Sequence, residues 1–177
     1  MRIITGYLKG REFRTPHSHR THPMSDKVRG ALFNILGDIG GLILLDAFAG
    51  SGALSLEAVS RGAKEVVAID KDSPAHKILE QNVKELGVSD RIKIIRANSS
   101  GWSQNNQDKK FDLMFLDPPY DQLQLPLLKT FAERHVKSGG ILVLSYPGKS
   151  TAPEFENFKI IANKNYGDSQ LVFCRKV

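Results

Sequence analysis

The chain of 177 residues contains a single cysteine, Cys174, and a single tryptophan, Trp102. One cysteine cannot close an intrachain disulfide, so a reducing, cytoplasmic setting is expected, and Cys174 reads as a small core hydrophobe. No apolar run approaches the ~20 residues that a membrane-crossing helix requires, and no membrane partner is expected. The opening Met1-Arg2-Ile3-Ile4-Thr5-Gly6 is too short and too interrupted by charge to read as a signal peptide. His17, His19 and His22 lack a nearby Cys, Asp or Glu to complete a ligand set; they read as a basic loop, and no metal is expected. His76 and His135 read as ordinary helix residues. There are no internal repeats and no linker between two large domains.

What is present is an ordinary globular balance, 41% hydrophobic and 25% charged, enough for one domain with a proper core and a small appendage. The net charge of +6 is unevenly spread. Residues 1–29 hold seven basic side chains (Arg2, Lys9, Arg11, Arg14, Arg20, Lys27 and Arg29) against Glu12 and Asp26, whereas residues 30–177 are nearly neutral at +1. Such an arm suits a polyanion through phosphate contacts and counterion release; the competing reading is a solvated, solubilising arm.

Two regions emerge: an N-terminal extension over 1–37 and a core over 38–177. Residues 3–14 read as a β-hairpin around Lys9-Gly10, and Pro16–Pro23 as a loop. Ser25 is a good N-cap for a helix that presents Val28, Leu32, Ile35 and Leu36 on one face and closes at Gly37. From residue 42 strands and helices alternate. Strands are expected at Leu42–Asp46, Glu65–Asp70, Ile92–Ile95, Phe111–Leu116 and Ile141–Tyr146. Helices fill three of the gaps: one ending near Gly62, one capped and opened by Ser73-Pro74 and stopping at Gly87, and one near Leu123–Val136. The segment Asn98–Lys110 reads as a polar, mobile loop. Phe158–Asn163 and Leu171–Arg175 read as an antiparallel hairpin around Tyr166-Gly167-Asp168. Short apolar strands joined through helices imply an α/β fold, a parallel sheet covered on both faces.

Two motifs carry chemistry. Asp46-Ala47-Phe48-Ala49-Gly50-Ser51-Gly52 lies where a strand becomes a helix, so glycines admit a ligand close to the backbone and the helix start offers free N–H groups. Asp70, followed by Lys71, ends the next strand twenty positions after Gly50, the spacing at which a carboxylate can take two ribose hydroxyls. Ser55 stands where a dinucleotide site prefers Gly or Ala, which favours a mononucleoside-like cofactor over NAD.

The second motif, Asp117-Pro118-Pro119-Tyr120, closes the fourth strand. If that strand lies beside the first, Asp117 faces the cofactor at the point where ligands bind in doubly wound sheets. A base amine is a poor nucleophile until acceptors draw on its protons. Asp117 supplies a carboxylate, Pro118 and Pro119 supply carbonyls without competing N–H donors, and Tyr120 offers a face on which an extruded base can stack. A sulfonium donor is already activated, so positioning and desolvation suffice and no nucleophilic side chain is needed.

These stretches, with Arg2-Ile3-Ile4-Thr5-Gly6, Ser25 to Leu36 and Tyr166-Gly167-Asp168, resemble the RsmD type of bacterial 16S rRNA (guanine-N2)-methyltransferase over almost the whole chain. The resemblance implies a Rossmann-like methyltransferase sheet, mostly parallel, with a C-terminal antiparallel hairpin and an N-terminal RNA-contacting extension. It implies S-adenosylmethionine as cofactor, and as substrate one guanine of small-subunit rRNA, presented by a partly assembled particle to a monomeric enzyme. Asn98 stands where the family's adenine-contacting aspartate is usual. Further departures are His22-Pro23-Met24, Gly30, and Ser145-Tyr146-Pro147 in place of a carboxylate-containing stretch. The alternatives weighed are adenine-N6 or cytosine-N4 methylation, against which the short chain argues on DNA, a nucleotide-dependent oxidoreductase, and a non-catalytic RNA-binding module.

Overall fold

The sheet is assembled from short strands whose residues are apolar on both faces. A computed structural model describes residues 1–15 and 24–177. Among these, seven strands, β1 (Ile43–Asp46), β2 (Glu65–Asp70), β3 (Ile92–Arg96), β4 (Phe111–Leu116), β5 (Val136–Pro147), β6 (Phe158–Asn165) and β7 (Ser169–Lys176), form one sheet in the order β3-β2-β1-β4-β5-β7-β6. The first five are parallel; β7 runs antiparallel between β5 and β6. Parallel neighbours need crossover helices, and these cover both faces. Alternate residues serve opposite layers: Leu44, Leu113, Phe115 and Phe173 join one core, while Leu45, Met114, Leu116 and Val172 join the other. The first core is closed by α1 (Asp26–Leu36), α2 (Ala53–Ser60) and α3 (Ser73–Leu86), the second by α4 (Ser99–Asn105) and α5 (Leu125–His135). This is the expected Rossmann-like α/β architecture with its C-terminal antiparallel strands.

Four local expectations are corrected. The N-terminal hairpin is short and irregular: Arg2 and Glu12 form one isolated antiparallel bridge, flanked by Ile3 N–H to the Arg11 carbonyl at 2.9 Å, Gly10 N–H to the Ile3 carbonyl at 2.8 Å and Phe13 N–H to the Met1 carbonyl at 2.9 Å. Between the paired ends, four amides turn to α2. Ile4 and Thr5 N–H donate to the Glu57 carboxylate at 2.8 and 3.0 Å, and Tyr7 and Leu8 N–H donate to the Ser60 carbonyl and hydroxyl at 2.9 and 3.0 Å. Gly6 makes this possible, since a Cβ there would stand 1.8 Å from the Ser60 carbonyl oxygen. Ile3, Leu8 and Phe13 are thereby buried in the first core.

The buried stripe of α1 is also rotated from the expected one. Ser25 caps the helix through the Val28 N–H and Gly37 ends it, but Arg29, Leu32 and Phe33 face inward and Ile35 is exposed. Phe33 packs edge-on against Phe115, with centroids 5.6 Å apart. The third correction is α4, which occupies part of the expected mobile loop. Its Trp102 is buried among Phe111, Phe131 and His135. Finally, Asp72 rather than Ser73 caps α3, its carboxylate accepting from Ala75 N–H.

Glu57 is fully buried and holds the extension to the core: besides two backbone amides it accepts from Arg61 Nε at 2.8 Å and lies 3.8 Å from Arg29 Nε. Removing one member of a buried ionic cluster leaves the others uncompensated. Glu57→Ala is expected to lower the unfolding free energy by about 3 kcal/mol, read by urea denaturation; a loss below about 1 kcal/mol, the worth of an exposed pair, would contradict this role.

Candidate active site

Because β1, β2, β4 and β5 run parallel, their carboxyl ends share one crest of the sheet. The order reverses between β1 and β4, with β2 on one side of β1 and β4 on the other, which opens a crevice there. Asp46 ends β1 and pairs in register with Ala68 and Phe115, so Asp70 and Asp117 each lie two residues beyond its partners. Three carboxylates from three strands therefore converge.

Asp46 is fully buried. The Ser55 hydroxyl donates to its Oδ2 at 2.7 Å, while Oδ1 has no partner. Burial pushes its pKa up to about 7; the Ser55 bond opposes the rise and the nearby negative charges of Asp117 and Asp70 add to it. The turn after Asp46 is fixed on all sides. Ala47 N–H donates to the Phe115 carbonyl at 3.2 Å, the Ser99 hydroxyl donates to the Ala47 carbonyl at 2.7 Å, and Gly50 N–H donates to Asp70 Oδ2 at 2.7 Å. Gly52, with φ of 87°, closes the turn into α2 where a Cβ would meet Leu79 at 2.4 Å. Beside Gly50 a Cβ would meet nothing within 4 Å, so the backbone there borders open space. Phe48 is partly buried, and Ser51 is held through its carbonyl by Asn82. Asp70 also accepts from Asp72 N–H at 2.8 Å through Oδ1.

On the β4 side, Asp117 borders a small hollow walled by Met24, Leu54, Phe115 and Ser145. Burial raises its pKa, opposed by a hydrogen bond from Ser145. Pro118 is buried and Pro119 partly so; Tyr120 starts a single 3-10 turn, half exposed, with its hydroxyl 2.8 Å from Ser145 Oγ. Lys71 reaches across from the β2 end to Gln122 in that turn, 3.1 Å, joining the two rims.

The remaining candidates divide. Asn98 is the N-cap of α4, its Oδ1 accepting from Ser100 N–H at 2.9 Å. Arg2, Lys9, Arg11 and Lys27 are exposed, and Arg14, also exposed, pairs with Glu85 at 2.9 Å. Arg29 is a correction: it is fully buried, donating to the Arg2 carbonyl and to Asp26 beside Glu57, so it is not available to a phosphate. Arg20, with His17, His19 and His22, lies outside the described residues. Among the described residues no cluster of His, Cys, Asp or Glu could hold a metal ion, and no helix is long and apolar enough to cross a membrane. Sequence reasoning noted Ser145 only as a departure from the family pattern and missed Glu57; neither periodicity nor spacing marks them.

Residues 1–175 match the family model described as "Conserved hypothetical protein 95". The chain is 30% identical over 182 aligned positions to YlbH of Bacillus subtilis (strain 168), which bears a provisional name as an rRNA methyltransferase; the match spans 99% of each chain. It is 36% identical to the ribosomal RNA small subunit methyltransferase D of Buchnera aphidicola subsp. Acyrthosiphon pisum, across 68% of this chain and 63% of that one. The chain belongs to this RsmD-type methyltransferase family. A solved Escherichia coli structure, yhhF, provisionally named a methyltransferase, superposes with a TM-score of 0.88 at 26% identity, covering 99% of this chain and 97% of that one. S-adenosylmethionine is the methyl donor of an enzyme of this family. An unpartnered buried carboxylate oxygen on Asp46, two further carboxylates and open backbone at Gly50 suit a ligand that carries a positive sulfonium and a nucleoside.

The methyltransferase should show the electrostatic cost of Asp46 in its stability. In the folded chain this carboxyl keeps its proton up to about pH 7, while its ordinary value is 3.8. Its contribution is therefore fully present below the unfolded pKa and is lost as pH rises through the folded one. Urea midpoints of the wild type should fall relative to those of Asp46→Asn between about pH 5 and about pH 7; parallel profiles would contradict the raised pKa.

Proposed function

We propose that this chain transfers a methyl group from S-adenosylmethionine to the exocyclic N2 amine of a guanine in small-subunit (16S) ribosomal RNA, acting as a cytoplasmic monomer on a partly assembled particle. The observation that carries this reading is the β1–β4 pairing, which sets the glycine turn and Asp117-Pro118-Pro119-Tyr120 on one crest. The names of the relatives support ribosomal RNA as the substrate.

In this reading Asp46, Ala47, Phe48, Gly50, Ser51 and Gly52 cradle the cofactor, Asp70 and Lys71 hold its ribose side, and Asn98 borders the adenine. The cofactor supplies an activated methyl group. Asp117 and the Pro118 carbonyl accept the two N–H bonds of the guanine amine and so return lone-pair density to nitrogen. Burial makes the Asp117 carboxyl more basic than usual, which strengthens it as an acceptor and gives the amine proton a place to go at the carboxylate oxygen. Tyr120 stacks on the extruded base. Arg2, Lys9, Arg11, Arg14, Arg20 and Lys27 contact phosphates, so binding weakens with salt.

The test is transfer of labelled methyl to small-subunit particles followed by nucleoside digestion. The product expected is N2-methylguanosine, and Asp117→Ala is expected to lower kcat by about 100-fold or more. Label in N6-methyladenosine or N4-methylcytidine, or full transfer by Asp117→Ala, would overturn the assignment.

A further inference from the structure

Strands β6 and β7 carry four basic side chains, Lys159, Lys164, Arg175 and Lys176, and no acidic one. Lys176 pairs with Glu133 at 3.3 Å. The other three are exposed and, among the described residues, pair with no carboxylate; Arg175 donates to the Gly139 carbonyl at 3.3 Å. β6 is the edge of the sheet, where lysines commonly guard against strand addition, but guarding requires no particular face. Here the face is selected. Lys159 and Lys164 stand five positions apart, so regular alternation would send them to opposite faces. The register shift between Ile160 and Ala162 inserts one extra residue and returns both lysines to the same face. Lys159 stands beside Arg175, Ala162 beside Phe173 and Lys164 beside Leu171, and Phe173 and Leu171 belong to the first core. The three unpaired cations therefore form one strip, on the face of the sheet that α1 covers.

The strip begins level with the site. Lys164 pairs with Leu171 and Leu171 with Ser145, and the last two wall the hollow that Asp117 borders. The Lys164 backbone thus lies two strand spacings, roughly 10 Å, from Ser145. Lys159 and Arg175 continue the strip roughly 13 Å further from the crest, four residues along β7. The N-terminal segment lies on the opposite flank, held to α2 through Glu57 and to α3 through Asn82 and Glu85. We propose that Lys159, Lys164 and Arg175 form a second phosphate-contacting surface for the RNA substrate, across the crevice from the N-terminal arm. This rests on the reading above that the substrate is RNA. A chain that delivers a base to Asp117 is then gripped by its backbone on both sides of the extruded nucleotide, which fixes its register without reading its sequence.

The experiment is filter binding of the full chain to small-subunit particles across a potassium chloride series. The strip variant Lys159→Gln/Lys164→Gln/Arg175→Gln is compared with Lys93→Gln/Lys109→Gln/Lys129→Gln, which removes the same charge from exposed positions on β3, before β4 and on α5. Both should keep the wild-type urea midpoint, because every substituted side chain is exposed. In the strip variant the slope of log affinity against log salt is expected to be shallower by about 2, at about 0.7 for each lost phosphate contact, with affinity weaker by about tenfold or more at about 0.1 M salt. The comparison variant should stay close to the wild type. A strip variant with the wild-type slope, or an equal loss in the comparison variant, overturns the proposal. So does unchanged binding with newly acquired aggregation, which would leave the lysines as guards of the edge strand. A strip variant that binds normally while the wild type still methylates the particle refutes the strip and spares the substrate. A wild type that neither binds nor methylates RNA refutes the substrate and the strip with it.

Discussion

Asp46 and Phe115 stand side by side in the parallel ladder between β1 and β4, and this register is the constraint on which the site depends. A shift of two residues would separate Asp117 from the glycine turn by roughly 7 Å along the strand. Pairing in parallel obliges both strands to end on the same edge, and the reversal of strand order leaves that edge uncovered by a crossover. The apolar alternation of Leu44, Leu45, Leu113, Met114, Phe115 and Leu116 into two cores fixes the register, because a one-residue slip would exchange the faces.

The crest is also held from behind. Helix α2 begins where the glycine turn ends at Gly52 and carries Ser55, Glu57 and Ser60 on its buried sides. Ser55 fixes Asp46; Glu57 and Ser60 fix the N-terminal segment. One short helix thus joins the carboxylate at the centre of the crevice to the segment that bears most of the excess positive charge. Burying Glu57 and Arg29 carries a desolvation cost that mutual pairing offsets only in part, since Arg29 Nη1 and Nε lack hydrogen-bond partners. The arrangement is better understood as setting the path of the chain than as adding stability.

Much of this was legible from residue order. The spans of β2 and β4, the cap at Ser25, the stop at Gly37 and the C-terminal turn at Tyr166-Gly167-Asp168 follow from local chemistry that tertiary contacts did not override. Arg29 was misread because charge alone marks a residue for solvent, whereas its guanidinium found Asp26 and Glu57, the latter twenty-eight positions away in sequence. The N-terminal hairpin is shorter than read for a related reason: residues 1–3 and 10–13 pair, but α2 satisfies the amides of Ile4, Thr5, Tyr7 and Leu8. Helix α4 hides in a polar segment because Asn98 caps it and only Trp102 and Ser103 are buried. Ser145 was marked only as a departure from the family pattern, since its 2.8 Å contact with the Tyr120 hydroxyl joins residues from different strand ends.

The central claim is that donor and base share one crevice between the ends of β1 and β4. A crystal structure with S-adenosylhomocysteine bound tests it most directly. The account predicts the nucleoside between Gly50 and Asp70 and the sulfur turned toward Asp117, with Tyr120 on the far side of the remaining gap. Ligand density on the other edge of the sheet, or a sulfur facing away from Asp117, would contradict it.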